Sequence, residues 1–297
     1  MLITGSGPQD RDQTLLGHKP FAVLADHLTR HGVAVLRYDD RGVGRSTGEF
    51  AAATSAHFAT DASAAVRFLL TRPEIHREGI GFIGHSEGGM VAHIAAVNDA
   101  DPDFVILLAA PGNLMQLAQS QERLLGLSQG VSEEELARMQ PVMTDVLAAV
   151  AKSASAEDAR ARVRAVLTLE ALATLKAPES RRELLVQQLA NEWFRYLLQY
   201  KPAASLSRIR MPILALNGAL DRQVPADENL SAIKAALAHN ADVTIRRLDG
   251  LNHLFQTART GAIGEYAAIE ETISPVLRSI VTEWIEARFN ETGRAFA

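Results

Sequence analysis

The chain has 297 residues, of which 47% are hydrophobic and 22% charged, and 30 Lys and Arg against 35 Asp and Glu give a net charge of −5. This composition is that of a globular protein with a sizeable core, and it excludes a disordered, collagen-like or coiled-coil chain. No block of basic residues is present, so we expect neither a nucleic acid nor a membrane surface as partner. Because the chain has no cysteine, disulfides, thiolate metal sites and a cysteine nucleophile are excluded.

Short apolar runs that end in turn residues alternate with longer helical patterns along most of the chain. Six such runs predict strands at residues 2–3, 33–38, 80–83, 103–110, 212–216 and 242–248. Between them, apolar residues at helical spacing predict helices at residues 20–30, 55–70, 86–97 and 273–289. Strands that alternate with helices form a parallel sheet covered on both faces, so the predicted fold class is α/β.

The stretch between the fourth and fifth predicted strands breaks this alternation. Residues 113–202 contain no convincing strand, whereas Ser132 with Glu135 forms a capping box and Ser155 resembles a second helix start. The sequence therefore predicts a core of residues 1–112 and 203–297 and a helical cap of residues 113–202. We expect this cap over the C-terminal edge of the sheet, where open α/β folds bind ligands.

Residues 84–88 form a Gly-x-Ser-x-Gly motif around Ser86. The motif lies between an apolar strand and a helix of small residues, the strand-turn-helix context that lifts a serine hydroxyl clear of the sheet. Glycines on both sides fit a turn that is strained and closely packed. We therefore predict that Ser86 is a catalytic nucleophile, and the alternative is a serine that only caps the helix.

A serine nucleophile needs a general base, and the base needs an acid that fixes its tautomer. Of the nine histidines, His253 follows the last strand in a loop at the edge where Ser86 lies, whereas the others fall in the elbow, in helices or at the surface. Asp221 follows the preceding strand, which completes the chain order Ser, Asp, His. We predict His253 as base and Asp221 as acid. The alternatives are an Asx-turn from Asp221 onto Gln223, and Asp249 as the acid.

The oxyanion of a tetrahedral intermediate needs backbone N–H donors. The N–H of Glu87, at the start of the helix, is predicted as one donor of this oxyanion hole. The glycine-rich loop Thr4–Pro8 can supply the second, and Ser6 is the best-placed residue in it. The alternative for Ser6 is a simple turn that ends the first strand.

These motifs together resemble the α/β-hydrolase superfamily: the elbow at residues 84–89, the Asp-Arg-Gly-Val-Gly-Arg-Ser loop at 40–46, the turn at 217–221 and the terminal His253. The opening segments at residues 5–12 and 17–20 resemble the bacterial carboxylesterase-like branch near the serine aminopeptidases. The resemblance covers essentially the whole chain. It implies an eight-stranded, mostly parallel sheet, a helical cap, and hydrolysis of esters without a cofactor.

The chain departs from that family at its start. The oxyanion loop follows the third strand in that fold, yet here it begins at Thr4, so the usual first two strands have no counterpart. We expect either an upstream segment outside this sequence or an exposed sheet edge at residues 33–38, through which copies of the chain could pair. No leader is visible at the N-terminus, and the longest apolar run, residues 104–110, is too short to span a bilayer, so a cytoplasmic location is expected.

The sequence thus predicts a serine hydrolase that cleaves carboxylic esters of small to medium acyl or aryl groups through an acyl-enzyme. No metal-binding or nucleotide-binding motif is present, so no cofactor is expected. One alternative is an aminopeptidase or amidase of the same fold, with a cap carboxylate such as Glu192 facing a substrate ammonium. Another is a non-catalytic ligand-binding protein. Eight apolar residues of the cap are expected either in its own core or lining the substrate: Leu114, Met115, Leu117, Met139, Met143, Trp193, Phe194 and Tyr196.

Overall fold

The computed structural model describes residues 1–128 and 130–289. Contacts between Cα atoms divide the chain into two compact units. The first comprises Met1–Ala51, Ala56–Gly112 and the chain from Pro202 on, and the second comprises Ala52–Ser55 and Asn113–Lys201. The main boundaries lie within a residue of those expected for core and cap, but the short segment Ala52–Ser55 groups with the second unit. The role of that unit as a cap stays a prediction.

Five parallel strands form the sheet of the first unit, and their spatial order is their chain order. They are β1 (Leu2–Ile3), β2 (Gly81–His85), β3 (Phe104–Leu108), β4 (Ile213–Gly218) and β5 (Val243–Leu248). The first four are buried along their whole length, as expected for parallel strands with helices on both faces. The predicted α/β class and parallel sheet are confirmed, but the described residues hold five strands rather than eight.

Residues 33–38 do not form the strand that the sequence predicts. One backbone hydrogen bond ties this segment to the sheet, from the N–H of Leu2 to the carbonyl of Leu36 at 3.0 Å. A parallel ladder needs evenly repeated bonds along both strands, whereas this bond joins β1 to a single residue of the segment. The prediction of a strand here was wrong, and self-association through this segment stays a prediction.

Twelve α-helices lie in the described residues. They are α1 (Pro20–Arg30), α2 (Ser55–Leu70), α3 (Glu87–Asn98), α4 (Leu114–Ser128), α5 (Glu133–Ala151), α6 (Ala156–Val166), α7 (Leu169–Thr174), α8 (Arg182–Leu189), α9 (Glu192–Gln199), α10 (Pro202–Leu206), α11 (Ala226–Ala236) and α12 (Pro275–Phe289). Short 3₁₀ helices occupy Glu179–Arg181 and Ile263–Ala268. None of the described helices is long and apolar enough to cross a membrane.

The core of the first unit lies between the sheet and helices α1 and α12. Leu24 and Leu28 of α1 meet Leu277 and Val281 of α12 over one face of the strands. Alternate strand residues point to the opposite face, because side-chain direction alternates along a strand. On that side α3 contacts β2 and β3, and α11 contacts β4 and β5. The loops at the carboxyl ends of the strands are therefore fixed by buried secondary structure.

The second unit is built from helices α4 to α9 around a core of its own. Helix α5 begins with the predicted capping box, in which Ser132 and Glu135 each hydrogen-bond the backbone of the other, and Ser155 caps α6 as predicted. The core includes Val146, Leu147, Val150, Val163, Leu167, Leu172, Val186 and Leu198. Of the eight apolar residues singled out in the sequence, Met115 and Phe194 pack against this core.

Candidate active site

Ser86 lies at the turn between β2 and α3, with φ 55° and ψ −122°. A non-glycine residue at such a positive φ costs on the order of 1–3 kcal/mol, and such strain clusters at functional sites. The turn is held from below by a hydrogen bond from the N–H of Ser86 to the carbonyl of Leu108, 2.8 Å long. A Cβ at Gly84 would lie 2.2 Å from the carbonyl oxygen of Gly88, so the turn closes this tightly only with glycine at position 84.

Asp221 and His253 meet in the loops that follow β4 and β5. Nδ1 of His253 lies 2.7 Å from Oδ2 of Asp221, whose side chain is fully buried. The other carboxylate oxygen of Asp221 accepts the N–H groups of Gln223 and Val224, both at 2.8 Å. The two roles considered for Asp221 therefore coexist, because one oxygen closes the Asx-turn and the other holds the imidazole.

Asp249, the other candidate for the acid, lies elsewhere. Its side chain is 91% exposed and pairs with the guanidinium of Arg247 at 2.8 Å. The structure thus brings His253 together with Asp221 and not with Asp249.

A buried polar network supports the loop that carries His253. The side chains of Asn252 and Gln256 are hydrogen-bonded at 2.9 Å, and Gln256 also lies 3.1 Å from Nε2 of His18. Nδ1 of His18 lies 3.0 Å from the hydroxyl of Thr272. Sequence reasoning missed this network, because no local pattern indicates that His18 is buried or that it reaches a loop more than two hundred residues away.

The elbow and the histidine loop meet through the residue that precedes the nucleophile. Nε2 of His85 lies 2.9 Å from the carbonyl oxygen of His253, and the two imidazole rings are 4.7 Å apart. In the described part of the chain, Ser86 and His253 share no hydrogen bond of their own. Catalytic hydrogen bonds of this kind are often long in ligand-free structures and tighten in the substrate complex.

The loop predicted to carry the second oxyanion donor passes beside the nucleophile. A Cβ at Gly5 would lie 3.2 Å from Cβ of Ser86, so the backbone at this point runs directly past the elbow. Ser6 is exposed, and its carbonyl accepts a hydrogen bond from the side chain of Gln9 at 3.2 Å. Glu87 is buried as the first residue of α3. Ser6 and Glu87 as oxyanion donors stay predictions.

Two consecutive carboxylates, Asp39 and Asp40, hold the loop at residues 4–8, and sequence reasoning assigned them no role. Asp40 accepts the hydroxyl of Thr4 at 2.8 Å with one oxygen and the N–H of Gln9 at 3.0 Å with the other. Asp39 accepts the N–H and the guanidinium of Arg11, which hold the pKa of Asp39 well below its usual range. Both ends of the loop are therefore fixed by the segment that follows residues 33–38.

We expect Asp40 to make folding stability fall as the pH rises through the mildly acidic range. Burial, reinforced by the charge of Glu87, raises the pKa of Asp40 from 3.8 to about 6. The folded chain then binds more protons than the unfolded chain between these values, so the free energy of unfolding decreases over this interval. In Asp40→Asn, the free energy of unfolding should fall between pH 4 and 7 by on the order of 3 kcal/mol less than in the wild type. Urea unfolding over this pH range measures the difference.

The exposed Asp26, paired with Arg30 on α1, offers a control for this measurement. Asp26→Asn should leave the pH dependence of the wild type in place. Parallel stability curves for the wild type and Asp40→Asn would contradict the expectation.

Three features together define an α/β hydrolase. They are the parallel sheet, the strained serine elbow after one of its inner strands, and the buried Asp–His pair in the loops after the last two strands. Residues 19–257 match the family described as serine aminopeptidase, S33, and the chain belongs to this family. Esterase EstD of Thermotoga maritima is 27% identical over 259 residues, which make up 86% of this chain and 53% of EstD. The chain thus spans about half the length of this curated relative.

Solved structures share the fold at low sequence identity. Esterase Pf2001 of Pyrococcus furiosus superposes with a TM-score of 0.55 at 16% identity, covering 96% of this chain and 80% of its own. The monoacylglycerol lipase of Paleococcus ferrophilus has a TM-score of 0.54 at 17% identity, covering 96% and 92%. These likenesses establish the α/β-hydrolase fold.

Proposed function

We propose that this protein is a serine carboxylesterase that cleaves small to medium acyl or aryl esters through an acyl-enzyme. The observation that carries the proposal is the buried pair in which Nδ1 of His253 lies 2.7 Å from Oδ2 of Asp221. The carbonyl of His253 is in turn hydrogen-bonded to His85, the residue before the strained Ser86. A carboxylate on Nδ1 leaves Nε2 of His253 free of a proton and able to accept one.

In the proposed mechanism, Oγ of Ser86 attacks the ester carbonyl while Nε2 of His253 takes the hydroxyl proton. Asp221 stabilises the imidazolium that forms, and the N–H groups of Ser6 and Glu87 hold the oxyanion. As the tetrahedral intermediate collapses, His253 passes the proton to the departing alkoxide, which leaves as the alcohol. Water then attacks the acyl-enzyme with the same base, releasing the acid and restoring Ser86.

Ester cleavage is favoured over aminopeptidase activity by the state of Glu192. Its carboxylate is paired with the guanidinium of Arg195, with oxygen–nitrogen distances of 2.5 and 3.1 Å, and the Arg195 side chain is only 17% exposed. A carboxylate already neutralised by a guanidinium attracts a substrate ammonium weakly. The name of EstD, an esterase, points the same way, although the family description names an aminopeptidase.

The test compares hydrolysis of p-nitrophenyl butyrate with that of aminoacyl-p-nitroanilides by the purified protein. We expect kcat/KM to be higher for the ester by several orders of magnitude, and Glu192→Gln to leave ester hydrolysis unchanged. Faster hydrolysis of the anilide, together with its loss in Glu192→Gln, would instead establish the aminopeptidase. Failure of a fluorophosphonate to label Ser86 would indicate a non-catalytic binding protein.

A further inference from the structure

His85, the variable residue of the Gly-x-Ser-x-Gly motif, joins three segments of the site. Its imidazole is buried, with Nε2 2.9 Å from the carbonyl oxygen of His253 and Nδ1 2.7 Å from the side-chain amide of Gln13. Gly5 of the oxyanion loop also approaches it, because a Cβ there would lie 3.5 Å from Nδ1. One side chain thus contacts the loop that carries His253, the loop at residues 4–8 and the segment after that second loop.

The hydrogen bonds fix the tautomer of this ring. The carbonyl of His253 can only accept, so the proton of His85 must reside on Nε2. Nδ1 then carries a lone pair and accepts from the amide nitrogen of Gln13. Both ring nitrogens are used and neither has a second proton to offer, so the bonds require the neutral form of the imidazole.

A neutral ring is also what the chemistry next to it requires. During acyl transfer His253 becomes an imidazolium, and the ring of His85 lies 4.7 Å from it. A second charge at that distance would oppose the proton transfer. Burial and the neighbouring His253 lower the pKa of His85 to about 3, which keeps the ring uncharged at neutral pH.

A buried histidine is often no more than a satisfied core residue, and α3 holds such a residue in His93. His93 is as deeply buried as His85 and lies 2.8 Å from the hydroxyl of Ser205. His85 differs in what it contacts, because the carbonyl that it binds belongs to the predicted base and its own backbone continues directly into the predicted nucleophile. The bond therefore ties the backbone of the predicted base to the residue that precedes the predicted nucleophile.

We propose that His85 is a positioning residue, which holds the backbone of the base His253 at a fixed distance from the nucleophile Ser86 through its Nε2–H bond. This inference rests on the proposed function. The residue acts through the backbone of His253 and takes no part in the bond changes of the proposed mechanism. Loss of the bond should let the histidine loop move away from the elbow, which lowers the rate of acylation without weakening substrate binding.

The test uses His85→Phe, which fills the space without a donor, and His85→Gln, whose amide can still donate to the carbonyl of His253. Misplacement of reacting groups by about 1 Å costs up to about 100-fold in rate. We therefore expect kcat for p-nitrophenyl butyrate to fall about 10- to 100-fold in His85→Phe, with KM within about twofold. His85→Gln should recover most of the loss. The rate of Ser86 labelling by a fluorophosphonate should follow kcat in both variants.

His93→Gln is the matched control, because it perturbs another buried histidine, on the helix that follows the elbow. We expect its kcat to match that of the wild type, even where its melting temperature falls. A kcat within twofold of the wild type in folded His85→Phe would overturn the proposal. Equal losses in His85→Phe and His85→Gln, or an equal loss in His93→Gln, would overturn it too, since a structural defect alone would produce them.

Two further measurements keep the outcome decisive. If His85→Phe does not fold, the smaller His85→Leu also lacks a donor for the carbonyl of His253, and the same fall in kcat at unchanged KM is expected, whereas no fall overturns the proposal. If the wild type is labelled at Ser86 but does not hydrolyse esters, the ester function fails while the labelling rates still test His85. If the wild type is not labelled, both proposals fail.

Discussion

Replacing Ser86 with alanine should abolish ester hydrolysis, with a loss of about 10⁶-fold in kcat. In the proposed mechanism the three residues act as a unit, so removing the attacking oxygen leaves the base and the acid without a function. The fold should survive, because alanine at φ 55° is strained as serine is. Steady-state hydrolysis of p-nitrophenyl butyrate, together with circular dichroism and thermal melting, checks both parts of this expectation.

Ser205 provides the control for this substitution. It is a buried serine whose hydroxyl lies 2.8 Å from Nδ1 of His93, and it belongs to α10 and not to the elbow. Ser205→Ala should remain active in its folded fraction. More than a few per cent of wild-type activity in a clean preparation of Ser86→Ala would rule out Ser86 as the nucleophile.

Asp221→Asn should lower kcat by about 10⁴-fold while the site keeps its shape. Asparagine can keep the oxygen that accepts the N–H groups of Gln223 and Val224, so the turn survives. Its amide nitrogen then faces Nδ1 of His253 and donates where the carboxylate accepted. The imidazole must hold its proton on Nε2, where it can no longer accept a proton from Ser86. Steady-state kinetics at neutral pH measures the loss.

Asp249→Asn is the control for this second substitution, because Asp249 was the other candidate in the sequence. Its side chain is exposed and paired with Arg247, so kcat should stay at the wild-type value. A loss in Asp249→Asn as large as that in Asp221→Asn would contradict the assignment of the acid.

The sequence predicted those parts of the site that depend on local structure. The serine elbow and the turn after β4 each follow a short apolar strand and contain the glycines that a tight turn needs. Because parallel strands end at one edge of the sheet, the chain order of Ser86, Asp221 and His253 was enough to place them together. The meeting of Asp221 with His253 was predictable for this reason, without knowledge of any distance.

The remainder depends on contacts between segments that are far apart in the sequence, and no local pattern reveals them. Residues 33–38 have the composition of a strand, but a single backbone hydrogen bond joins them to β1 in the described part of the chain, and pairing decides whether a strand exists. The bond from His85 to the carbonyl of His253 involves a backbone group that carries no sequence signal. Similarly, the hold of Asp40 on Thr4 and Gln9 follows only from the way the segments pack.

The order of the strands has a consequence for how the chain acquires activity during folding. In the two βαβ segments, β2–α3–β3 and β4–α11–β5, the paired strands are much closer in the sequence than β3 and β4 are: Gly81 pairs with Phe104 and Ile213 with Val243, whereas Val105 pairs with Ile213. The shorter loops cost less entropy to close. Ser86 belongs to the first segment, whereas Asp221 and His253 belong to loops of the second. They join where β3 pairs with β4, a closure that must span the whole helical insertion and carries the entropy cost of a long loop. We therefore expect esterase activity to return during refolding when β3 pairs with β4, and not when either βαβ segment forms.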